Sequence, residues 1–116
     1  MTTIYVAGPM TGLPDFNYPA FDRAAADLFG LGYEVLNPVM GAYRDDAPRP
    51  GVEQDPQWQD YMRNGINQLI RADGVALLPG WLGSRGATIE VYLAHRLGLD
   101  VRDLTEWLAN AKELTV

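Results

Sequence analysis

Cysteine is absent and histidine occurs once, at His95. Disulfides and thiolate metal sites are thereby excluded, and no multi-histidine metal centre can form within one chain. Basic residues are also few. Nine Lys and Arg stand against fifteen Asp and Glu, a formal net charge of −6. That balance argues against a nucleic-acid partner, whose phosphate backbone is held by clustered Lys and Arg. No apolar run approaches the length of a membrane span, and no charged-then-apolar leader precedes the first apolar segment. These absences lead to an expectation of a cytoplasmic protein with no metal, no cofactor, no membrane contact and no bound nucleic acid.

What is present suits a globular chain. Of 116 residues, 47% are hydrophobic and 21% charged, enough to close one core without staples, and a single domain over residues 1–116 is expected. Thr3-Ile4-Tyr5-Val6-Ala7 is β-branched, aromatic and apolar, and reads as a buried strand. Gly8-Pro9-Met10-Thr11-Gly12 ends it. This turn either approaches a ligand closely or simply redirects the chain, and it lacks the third glycine of a dinucleotide fingerprint. Asn17 as N-cap and Pro19 in the first turn open a helix with Phe21, Ala25 and Leu28 on one face, closed by Gly30 and Gly32. Tyr33–Leu36 reads as a second strand, stopped by Asn37-Pro38.

Residues 37–55 carry no periodicity and three prolines. A stretch of that length is either a lid over a site or a variable insertion. Asp55-Pro56 then opens a helix with the stripe Trp58, Met62, Ile66 and Leu69, ending near Ala72. Asp73-Gly74 turns the chain into the strand Val75–Leu78, with Asp73 read as a helix-to-strand cap. After the next helix, Leu99-Asp100-Val101 forms a short strand, and Asp103 caps a final helix carrying Leu104, Trp107, Leu108 and Ala111. Trp107 is expected to pack on a neighbouring chain, which predicts a homo-oligomer. Strands alternating with helices predict an α/β protein with a parallel sheet and helices on both faces.

The chemistry concentrates in Pro79-Gly80-Trp81-Leu82-Gly83-Ser84-Arg85-Gly86, between a buried strand and a helix over about Gly86–Leu97. In a parallel sheet this junction lies at the carboxyl ends of the strands, where ligands bind. The helix carries Ala87, Val91, Ala94 and Leu97 on one face, and Glu90 shares that face. An inward carboxylate is costly unless it is hydrogen-bonded or put to use. Burial pushes its pKa up, while the helix N-terminus pushes it down. Trp81 either stacks on a ligand or plugs the mouth of the sheet. His95 lies off the Glu90 face and reads as a surface residue.

These segments, in this order and spacing, resemble the nucleoside 2-deoxyribosyltransferase superfamily. Ile4 to Met10 is similar to its opening motif, Asp73 to Leu78 to its central strand, and Gly86-Ala87-Thr88-Ile89-Glu90 to its nucleophile motif. Met10 to Pro14, Asn17 to Phe21 and Leu78 to Trp81 are similar to a small branch common in phages and bacteria. The resemblance implies a flavodoxin- or Rossmann-like three-layer sandwich with a parallel sheet of four to five strands. It also implies cleavage or transfer at the N-glycosidic bond of a nucleoside or nucleotide. Glu90 would attack the anomeric carbon and Tyr5 would orient it by a hydrogen bond. A carboxylate suits that task because the transition state has oxocarbenium character.

Two positions depart from the family. Ser84 stands where the transferases carry an acid about six residues before the nucleophile, and Asn64 or Gly65 stands where another acid serves the base. Ser84-Arg85-Gly86 instead offers a hydroxyl, helix N-terminal amides and a guanidinium, which suits a phosphate. This favours 5′-monophosphates. The expected substrate-binding set is Gly8, Pro9, Met10, Asn17, Trp81, Ser84, Arg85 and Gly86, with Asp15 and Asn17 near the sugar hydroxyls. The missing acids also admit a nucleotide-binding or sensing module of little activity. A third reading, a phosphoribohydrolase resembling the cytokinin-activating family, matches Pro79-Gly80 and Gly86–Glu90 only loosely.

Overall fold

The computed structural model describes residues 2–10, 12–39 and 56–114. The order is β1 (Thr3–Ala7), α1 (Tyr18–Gly30), β2 (Glu34–Leu36), α2 (Pro56–Leu69), β3 (Gly74–Leu77), α3 (Arg85–Arg96), β4 (Asp100–Asp103) and α4 (Leu104–Leu114). The four strands form one parallel sheet in the order β2-β1-β3-β4. This is an α/β three-layer fold of flavodoxin-like order. The chain leaves β1 toward one edge and β3 toward the other, so a crevice opens above the carboxyl ends of these two strands.

The strands sort their side chains by alternation. Ile4 and Val6 pack with Phe21, Ala24 and Leu28 of α1 and Trp107 of α4. Tyr5, Ala7, Val75 and Leu77 pack with Leu69 of α2 and Val91 and Ala94 of α3. Both faces of β1 and β3 are buried, which is why these strands lack polar alternation. Tyr5 therefore points toward α2 and α3. The inward face of α1 is Phe21, Ala24 and Leu28, with Ala25 displaced to its flank.

Several local expectations are corrected. Trp107 is buried within its own fold. Its indole N–H donates to the Val75 carbonyl at 2.8 Å, its ring fills the place where a Gly74 side chain would stand, and Arg102 lies 5.0 Å above the ring. It offers no surface to a neighbour, so the oligomer expectation loses its premise. Leu97 lies beyond the last helical residue and is exposed. The last strand is Asp100–Asp103 rather than 99–101. Asp73 accepts a hydrogen bond from the Thr3 N–H at 2.8 Å while its own N–H donates to the Thr3 carbonyl. It clasps the start of β1 to the start of β3. The Asp55 cap and most of the stretch read as a lid lie outside the described residues. No helix among the described residues is long and apolar enough to cross a membrane.

Candidate active site

Above the crevice lies a cavity of about 180 Å³. The turn after β1 contributes Gly8, Pro9 and Met10. The turn into α3 contributes Gly83 to Gly86, and α2 contributes Trp58, Tyr61 and Met62. Glu90 reaches it from the second turn of α3. Six of the eight residues expected to bind substrate line the cavity: Gly8, Pro9, Met10, Ser84, Arg85 and Gly86.

Asn17 and Trp81 do not. Asn17 occupies the N-cap position, but with φ 63°, and its side chain makes no cap hydrogen bond. It closes a run of three left-handed residues with Asp15 and Phe16, at φ 52° and 51°. Such a run of non-glycine residues is held only where surroundings enforce it. At its end the Asn17 side-chain amide donates to the Pro9 carbonyl at 2.9 Å. Asn17 thus braces the loop that lines the cavity. Trp81 is half-buried and packs against the apolar cluster beneath α2 and α3.

Gly8 lines the cavity, but its missing side chain serves the sheet. A Cβ there would stand 2.7 Å from the Leu78 Cβ, on the segment whose N–H is bonded to the Ala7 carbonyl. Ser84 is the N-cap of α3, its hydroxyl oxygen accepting from the Ala87 N–H at 3.2 Å. The hydroxyl read as a phosphate ligand is therefore also a helix cap, accepting with its oxygen and keeping its proton to donate.

Glu90 is 6% exposed, one of two buried polar or charged residues among those described. The fully buried Tyr5 hydroxyl donates a hydrogen bond to Glu90 Oε2. Where the resemblance left Asn64 or Gly65, α2 brings Gly65 against this pair. A Cβ at Gly65 would lie 2.7 Å from Glu90 Oε2 and 2.8 Å from the Tyr5 oxygen. Burial raises the Glu90 pKa from 4.5 to about 7, with the Tyr5 hydrogen bond opposing it. Tyr5 itself is pushed well above the phenol range, first by burial and then by the Glu90 charge.

This pair yields a direct expectation. Tyr5→Phe removes the hydrogen bond that lowers the Glu90 pKa and leaves burial unopposed. In a carbon-detected NMR titration of Glu90, the midpoint should rise above that of the wild type. A midpoint that stays put or falls would mean the phenol does not stabilise the carboxylate.

Sequence reasoning missed Tyr61 and took Trp58 and Met62 only as core. Tyr61 shares the Trp58 stripe, three residues on, and a phenol within an apolar stripe was the available signal. Its hydroxyl donates to the Met10 sulfur at 2.7 Å. Its pKa is also well above the phenol range, by burial first and by Glu90 second. Among the described residues no cluster of three His, Asp or Glu stands where it could hold a metal.

Set against known proteins, the chain matches over residues 2–103 a family model, DUF4406, described as a domain of unknown function. Among curated proteins, none matches. A solved structure of a 2-deoxyribosyltransferase from the psychrotolerant bacterium Bacillus psychrosaccharolyticus is similar, with a TM-score of 0.61 and 22% identity. The match covers 86% of this chain and 69% of that one. That protein is characterised as a biocatalyst for the synthesis of antiviral and antitumoral nucleosides. At this identity the likeness speaks for the fold.

Proposed function

The chain belongs to the DUF4406 family, a domain of unknown function, and we propose that it cleaves or exchanges the N-glycosidic bond of a nucleoside or nucleoside 5′-monophosphate. Glu90 is the nucleophile in this reading, and Tyr5 orients it. The observation that carries the proposal is a buried carboxyl, hydrogen-bonded to a buried phenol, opening onto a cavity lined by two unlike sets of groups. One set is the N-terminus of α3 with Ser84, Arg85 and Gly86, suited to an anion. The other is aromatic and thioether-rich, with Trp58, Tyr61, Met10 and Met62, suited to a flat base. The structural likeness to a 2-deoxyribosyltransferase supports the same substrate class.

Incubation with a panel of ribo- and deoxyribonucleosides and their 5′-monophosphates, followed by chromatography for free base, tests the proposal. Release of base, faster from the 5′-monophosphates, is the expected result. A second reading is favoured by one observation: Glu90 is the single carboxylate among the described residues lining the cavity. A nucleotide-binding or sensing module needs no second acid. Strong thermal stabilisation by a nucleotide, with no base released on long incubation, would select that reading.

A further inference from the structure

When a bond between an anomeric carbon and a base nitrogen breaks, its electron pair passes to the base, which leaves slowly unless a donor meets it. The carboxyl of Glu90 is committed to the sugar. Among the apolar and aromatic residues that line the cavity, Met10, Phe21, Trp58, Tyr61 and Met62, the Tyr61 hydroxyl is the sole side-chain oxygen. Tyr61 is 6% exposed, so water does not compete freely for it. Its present partner is the Met10 thioether, a weak acceptor that a ring nitrogen or carbonyl of a base readily displaces. A buried donor facing the cavity, held by a poor acceptor, is poised for a better one.

We propose that Tyr61 is the donor to the leaving base, a role that rests on the N-glycosidic reading of Glu90. In the first step a Glu90 oxygen forms a bond to the anomeric carbon and the carbon–nitrogen bond breaks. The electron pair goes to the base nitrogen, the Tyr61 proton passes to the base, and a phenolate remains. In the second step water attacks the anomeric carbon. Its hydroxyl joins the sugar, its proton returns to Tyr61, and Glu90 leaves as carboxylate. The negative charge moves from Glu90 to Tyr61 and back, so each step balances. The electrostatics agree. Burial first, and Glu90's charge second, hold the Tyr61 proton on; the second of these influences ends when the carboxylate becomes an ester.

The test compares ordinary substrates with ones whose base leaves unaided. Deoxyguanosine and deoxyuridine, with their 5′-monophosphates, are paired with N7-methylguanine and 5-nitrouracil counterparts. The first activated base leaves neutral and the second as a stable anion. Tyr61→Phe should slow release of ordinary bases by roughly 100-fold and leave the activated ones nearly unchanged. In wild-type protein, base release within a single turnover should show a solvent deuterium isotope effect on the ordinary substrate that disappears on its activated counterpart. This second measurement holds even if the variant folds poorly. Equal loss on both kinds, no loss on either, or an isotope effect indifferent to the base would overturn Tyr61 as donor while leaving Glu90 as nucleophile. Failure of wild-type protein to release any of these bases would overturn the N-glycosidic reading and the Tyr61 role together.

Discussion

Glu90→Gln is expected to lose base release by on the order of a thousand-fold or more while becoming the more stable protein above neutral pH. Both results follow from one fact, that the cavity floor is a carboxyl out of water. Glutamine keeps the shape and can still accept from the Tyr5 hydroxyl, but its neutral amide cannot attack an anomeric carbon. Retained nucleotide binding, measured by calorimetry, would separate lost chemistry from a lost pocket. Activity within about tenfold of wild type would remove Glu90 from the mechanism.

The stability half needs its sign worked through. The Glu90 pKa is about 7 in the folded chain, against 4.5 as its ordinary value. Between these values the folded state holds a proton that the unfolded state has lost. Stability attributable to Glu90 therefore falls as pH rises through this window and stays low above it. The shift corresponds to a penalty on the order of 3 kcal/mol for the ionised form. Glu90→Gln never pays it. Urea unfolding should show the variant ahead by roughly 2–3 kcal/mol at pH 8, with the gap closing near pH 4.5. A gap independent of pH would mean that the carboxyl is not buried as a charge. Attack also needs the carboxylate, so wild-type activity should climb with pH up to about 7. The site thus trades stability for a reactive group.

The parts of this picture legible in the sequence are those set by one element at a time. Strands β1 and β3 are buried on both faces, so their unbroken apolar runs announce them. Glu90 stood out because a carboxylate on an apolar helix face has few innocent explanations. The misreadings arise where two elements meet. Asn17 reads as a cap because capping statistics assume an extended backbone, whereas its φ is left-handed and its amide bonds to Pro9. Trp107 reads as a docking residue because nothing in its own helix reveals the space left by Gly74 on β3. Tyr61 was invisible as a site residue because its partner, Met10, lies 51 positions away. The fold is legible despite these contacts because it follows from the order of elements rather than from any one contact.

Gly65→Ala carries the other large effect, and its direction decides between a helix rule and a site rule. A glycine in the interior of a helix is about 1 kcal/mol less favourable than alanine, so the helix rule predicts a more stable protein. The site rule predicts damage. The added methyl would stand 2.7 Å from Glu90 Oε2 and 2.8 Å from the Tyr5 oxygen, and neither atom ends a flexible surface chain. Tyr5 is fully buried and Glu90 nearly so. Overpacking of this kind costs roughly 1–3 kcal/mol, so net stability should fall by about 1 kcal/mol. Activity should fall further, by about a hundred-fold, since a displacement near 1 Å at a reacting group has that effect. Gly30→Ala supplies the control. That glycine ends α1 with nothing within 4 Å of its would-be Cβ, and the change should leave activity intact. If Gly65→Ala gained stability and kept its rate, α2 would not be seated on the Glu90–Tyr5 pair. The loss expected here instead makes that glycine the space in which the nucleophile is held.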